Sequence, residues 1–389
     1  MAILFPYEPN WAAGVRIDHA FRTEIITSRN YREQRSALRL QPRKSVEFTM
    51  QGRRGSLAAM QAFLAKNFQG EFVLPDVTRF VDLTASAASG TLTLTMAAVP
   101  FWAYPGQTIR LVSGAQSTLA EIDAVSATQI LLTVNLTQTY PVGTRVYATM
   151  TGYLSQQTRG RLRTNTVGEF PITFEANPGS FEEPDGAAPL TFNGRELFLT
   201  KPNWADAPQA EIVGYLESVD FDRGVWEQYA PVTFQTRRLQ LSYLGRGQKA
   251  ETFMEFFRRM KGQRGEFYMP TWEPDIDVSI GALSGATSLV VPGSAFREAY
   301  ANSTVYKALI VFFRDGTHEA KVISSVVAAS ANSQINVPSG WTRDVNTGSV
   351  RLACLLPVWR FGVDNIAVNW ETDNAAQWRA TVQTLEDLA

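Results

Sequence analysis

Apolar and polar positions alternate over Val46–Met50, where Val46, Phe48 and Met50 fall on one side. A period of two predicts a strand with one buried face. A Gly/Arg break follows (Gly52-Arg53-Arg54-Gly55), and then Leu57, Met60, Phe63 and Leu64 recur at helical spacing. That spacing predicts a helix of about 12 residues with Ser56 as its N-cap. Gly70-Glu71-Phe72 then opens a strand ending at Pro75. The same parts return roughly 193 to 195 positions later. Leu239, Leu241 and Tyr243 alternate, Gly245-Arg246-Gly247 breaks the strand, and Phe253, Met254, Phe256 and Phe257 line a second helix. Gly265-Glu266-Phe267 then leads to Pro270. Helices this short are marginal alone and must dock an apolar face on a sheet, so these stripes read as core packing.

The correspondence extends beyond this segment. Pro9-Asn10-Trp11 matches Pro202-Asn203-Trp204, and Arg29, Glu33 and Gln34 match Arg223, Glu227 and Gln228. Near the ends, Val167–Glu175 pairs with Ala375–Gln383. The chain therefore reads as one unit of about 190 residues repeated in tandem. The Ala/Ser/Thr/Val-rich texture of Thr84–Met150, with short alternating runs and Pro/Gly turns, predicts a small β-barrel or sandwich inserted in the first unit. Val278–Leu356 is read the same way in the second.

The expected fold is mainly β, with two repeated units, each building a sheet with one short flanking helix and one β-insertion. Residues 1–82 and 153–178 form the first unit and 83–152 its insertion. Residues 179–194 form a linker, 195–276 and 357–389 the second unit, and 277–356 its insertion. Arg29–Arg35 is expected at a hairpin tip or in an exposed loop.

Composition narrows the function classes. Hydrophobic content of 45% and charged content of 19% are those of a globular chain. A net charge of -1 exerts no long-range pull on nucleic acid or anionic membrane. The single cysteine, Cys354, excludes an intrachain disulfide, and its apolar neighbours mark it as a buried small residue. No signal peptide or membrane-length apolar run is evident.

Candidate chemistry is sparse. His19 and His318 hold unrelated positions, no Cys/His cluster offers a zinc site, and no Gly-rich loop has phosphate-binding spacing. Asp275 and Asp277 resemble a metal pair, and Glu182, Glu183 and Asp185 form an acidic cluster, but neither matches a ligand loop. No cofactor, metal or catalytic residue is expected, and the chain reads as a non-enzyme. The basic groups Arg53-Arg54, Arg159/Arg161/Arg163 and Arg258–Arg264 suit ion pairs or subunit contacts. Candidate contacts with partners are Arg29, Arg53, Arg54, Arg223, Arg246 and Arg258.

On Leu216–Gln228, Leu239–Tyr243, the helix Glu251–Met260 and Gly265–Trp272, the repeated unit resembles the distal tail protein and minor tail protein M family of long-tailed bacteriophages. In that family a strand, a helix and an aromatic strand ending in proline follow in this order, and a late alternating strand closes the sheet. Glu24–Gln34, Val46–Met50, Ser56–Asn67 and Gly70–Pro75 carry the same parts in the first half. Doubling of the unit and its insertions depart from the family pattern.

The resemblance implies two tandem tail-tube-like units, each a β-sandwich with one helix on its flank, assembled in the host cytoplasm into a ring at the virion tail tip. Such a ring joins the tube protein to a hub or central fibre, with DNA passing through the channel without specific binding. Three doubled chains would close a pseudo-six-fold ring, the preferred expectation; six would build two layers. The insertions would dock receptor-binding fibres or neighbouring tail proteins, or contact host-surface glycans. Gene-transfer and injection particles use such rings too. The alternative is a carbohydrate-binding or cell-wall-degrading tail component, with Trp102, Tyr104, Trp341 and Trp359 stacking on sugars.

Overall fold

The computed structural model describes residues 2–114, 116–155, 158–181, 188–220, 222, 224, 226–232 and 234–387. The fold is mainly β. The first half contains β1 (Ile3–Leu4), β2 (Val15–Ala20), β3 (Thr23–Thr27), β4 (Glu33–Ala37) and β5 (Arg43–Arg53). Helix α1 (Gly55–Asn67) follows, then β6 (Phe72–Asp82), β7 (Arg145–Leu154), β8 (Arg161–Thr164) and β9 (Val167–Ala176).

The second half repeats this order with β10 (Arg195–Leu197), β11 (Gln209–Val213), β12 (Glu217–Asp220), β13 (Trp226–Tyr229) and β14 (Thr236–Arg246). Helix α2 (Gly247–Met260), β15 (Phe267–Tyr268), β16 (Val358–Phe361), β17 (Asn365–Trp370) and β18 (Ala375–Thr384) complete it.

The two halves share not only order but register. Val46 faces Phe174 and Met50 faces Phe170 across β5–β9; Leu239 faces Val382 and Tyr243 faces Trp378 across β14–β18. Val167–Glu175 and Ala375–Gln383, matched to each other in the sequence, thus hold equivalent places in the two halves. Parallel β1–β6 sets Ile3 against Phe72, and parallel β10–β15 sets Glu196 against Phe267. Even the Pro-Asn-Trp turns agree. Asn10 N donates to Thr49 O, Asn203 N donates to Ser242 O, and both Asn side chains accept from the amide two residues on. A one-residue slip would invert every side chain, so matched register means matched core faces.

Each helix buries one face on its own sheet. Phe63 of α1 meets Phe5 and Phe72, with ring centroids 6.0 and 5.9 Å apart; Phe256 of α2 meets Phe198 and Phe267 at 4.2 and 4.8 Å. The sequence places Ser56 as the N-cap of α1. Instead the helix starts at Gly55 after Arg54, and the Ser56 hydroxyl binds back to Arg53. The break needs this tight turn, in which Arg54 adopts φ 48°.

The insertions depart from the expected boundaries. Strand β6 does not stop at Pro75 but runs to Asp82. Opposite Pro75 the register of β7 shifts between Tyr147 and Thr149, and a bulge is where a strand tolerates a residue lacking N–H. Strand β7 therefore begins in the insertion and ends in the host sheet, and no boundary falls at 152/153. Four more strands, Thr93–Thr95, Thr108–Ser113, Gln116–Val125 and Gln129–Leu132, enclose a core of Leu94, Ile109, Ile122, Ile130 and Tyr140. Gln116–Val125 escaped the sequence reading because only Ile122 along it is buried.

The second insertion is built differently. It has two three-stranded sheets and a short helix, Ala295–Tyr300, around Leu289, Phe296, Ile335 and Trp341.

Candidate interface between the repeated units

The halves meet edge to edge. Strand β2 of the first unit pairs antiparallel with β17 of the second, from Val15 opposite Trp370 to Ala20 opposite Asn365. This joint makes one continuous sheet in the order β8-β9-β5-β2-β17-β18-β14-β11. Four strands come from each unit. One face of the seam is closed to solvent: Val15, Ile17, His19, Ile366, Val368 and Trp370 are all buried.

A hairpin reinforces the seam. β3 and β4 pair as a hairpin with Arg29–Tyr31 at its tip, while Glu33–Arg35, expected in the tip or loop, already belong to β4. The hairpin lies across the second unit, where Glu33 takes both Nε and Nη2 of the buried Arg360 at 2.7 Å. A carboxylate meeting the planar guanidinium fork in this way fixes geometry as well as energy. Arg35 bonds Glu266, and Arg32 reaches Glu386 at 3.1 Å. Thr23 donates its N–H and hydroxyl to Asp364 at 2.6 and 2.8 Å.

Helix α2 adds a second contact. Its Glu251 holds Arg79 of β6 through a forked pair at 2.9–3.1 Å. Beside it lies the buried Lys44–Asp76 pair at 2.9 Å. Burial alone pushes the Asp76 carboxyl up, but Lys44, Arg79 and the Thr78 hydroxyl outweigh it and hold its pKa down to about 2.

The residues singled out from sequence fare unequally. Arg29 sits exposed at the tip of the β3–β4 hairpin, and Arg53, Arg54 and Arg246 are exposed at the breaks before the helices. Arg223 lies outside the described residues. Arg258 is a correction: it is 4% exposed, its guanidinium 4.0 Å from Glu251, and so is no free surface contact in this chain. The residues that join the units, Glu33, Arg35, Asp364 and Arg360, were not marked as contacts. Glu33 did stand out as a repeated position, but its partner Arg360 is 327 residues away, beyond any local pattern.

The remaining candidates also resolve. Asp275 accepts from the Thr271 hydroxyl and from Leu355 N at 2.9 Å, while Asp277 caps Ser279 N at 2.8 Å. Both carboxylates are engaged within the chain, and the described residues hold no cluster of three or more His, Cys, Asp or Glu suited to a metal. The cluster Glu182, Glu183 and Asp185 lies outside the described residues. Trp102, Trp341 and Trp359 are buried at 4%, 1% and 0% exposure, so they offer no sugar-stacking surface. No described helix is long and apolar enough to cross a membrane. Neither the protein-family models nor the curated proteins compared with this chain give a match.

Proposed function

We propose that this chain is a structural ring component of a phage-like tail tip, built by tandem duplication of a tail-tube-like unit. It joins the end of the tube to a hub or fibre and surrounds a channel for DNA. The observation that carries the reading is the sheet in which the second unit follows the first at an equivalent four-strand interval. A building block that adds to itself head to tail closes into a ring when the rotation between copies divides the circle. Three chains would give six units and a wall of about 24 strands. The near-zero net charge suits passage of DNA without binding it. The insertions attach neighbouring tail proteins or fibres.

Electron microscopy of the purified chain tests this. The expected particle is an annulus with a central hole and pseudo-six-fold outline, of three-chain mass. A compact particle without a hole at any concentration overturns it.

A further inference from the structure

The seam inside the chain specifies a second seam between chains. At each end of the eight-strand sheet one strand keeps an open edge. These are β8, bonded only to β9, and β11, bonded only to β14, among the described residues. By register, β11 holds in the second unit the place of β2, and β8 holds in the first unit the place of β17. β2 and β17 are paired to each other; their equivalents are not. The surface bears this out. Ile212, in the position of the buried His19, is 72% exposed, and Leu162, in the position of the buried Trp370, is 59% exposed.

Two further parts of the internal seam also have uncovered equivalents. Hairpin β12–β13 matches β3–β4, yet it leaves Trp226 60% exposed. Tyr153, in the position of Arg360, is 48% exposed instead of 5%. On α1, the positions of Glu251, Met254 and Arg258 are taken by Ala58, Gln61 and Ala65, all exposed.

We infer that β11 of one copy of this chain pairs antiparallel with β8 of the next, in the register of the internal β2–β17 seam. That register sets Pro208 opposite Leu162, Gln209 opposite Arg161 and Glu211 opposite Arg159. The last two pairs put acid or amide against the exposed arginines, and the first lays the proline ring on an exposed leucine. Pro208 stands just ahead of β11, where a missing N–H costs the ladder little. An open edge is a template for another strand, and here the occupant is a second copy because its own equivalent strand already fills the same place. The contact is heterologous, so it propagates until the ring closes.

This inference specifies the joint of the proposed ring, although it stands on the internal seam alone. Directly opposed residues of an antiparallel pair are close enough for a disulfide. Gln209→Cys and Arg161→Cys chains are mixed and oxidised; buried Cys354 is not placed to compete. The expected result is a two-chain product in the mixture and none from either variant alone. The doubly substituted chain gives a ladder ending at a discrete size. No product in the mixture, or equal product from one variant alone, overturns the inference.

A charge exchange provides the second reading. Glu211→Arg should weaken association at least about tenfold, and adding Arg159→Glu should restore it. Failure of the rescue counts against this register. Cross-linked filaments, or rings unconnected to any tail, would sink the conduit reading while leaving the paired edges standing. Tail-bound rings that do not cross-link would do the reverse.

Discussion

Single residues show where charge is tolerated inside this fold. Lys44 and Asp76 are both almost fully buried, and each would be costly alone. Lys44→Ala should therefore destabilise the chain by about 3–5 kcal/mol, read from urea unfolding, and Lys44→Met with Asp76→Leu should recover most of it. The same pair sets an acid limit. The Asp76 pKa is lower folded than unfolded, so the folded state is favoured above the unfolded value near 4. That stability is lost as pH falls from about 4 toward 2, and Asp76→Asn should flatten the fall in melting temperature over this window.

At Cys354, burial pushes the thiol up to about 12. A maleimide at pH 8 should leave the native chain unlabelled and label it fully in denaturant. The apolar LACLL context made this burial legible from the sequence. Nothing in sequence revealed the Asp76 partner, because the pair joins two strands across an intervening helix.

Among the elements, the strands of the sandwich units were the most legible. One face is buried, so alternation survives in Val46–Met50 and Leu239–Tyr243 even where the halves share few identities. The helices were legible as apolar stripes, but not their unequal burial. Phe63 is only half-buried in α1, whereas its equivalent Phe256 is 2% exposed, enclosed by Phe198, Phe253, Phe267 and Phe361 of its own unit. Phe256→Ala should cost about 3–5 kcal/mol and Phe63→Ala clearly less, measured by denaturant unfolding. Equal costs would mean that Phe63 is as fully enclosed in solution as Phe256. The inserted strands were less legible, because strands that bury little, such as Gln116–Val125, lose their alternation.

At the scale of the whole molecule, the sandwich units and the insertions have separate apolar cores. The first insertion has its own apolar core, and Leu83 N bonds Thr144 O at 3.0 Å where the chain leaves and returns. A short turn can bridge that gap without disturbing the eight-strand sheet, which uses none of the residues between. Replacing residues 84–143 by a Gly/Asn turn, with Leu83 and Val146 made threonine because they would lose their cover, should therefore leave the oligomer mass unchanged. Under the proposed function, attachment of neighbouring proteins should be lost, read as the absence of projecting density around the proposed annulus and failure to retain tail partners. Because β7 is shared between insertion and host, a cut at Met150 removes the residues facing Pro75 and should unfold the unit. The contrast between the two deletions distinguishes an outward module from a structural half of the sandwich.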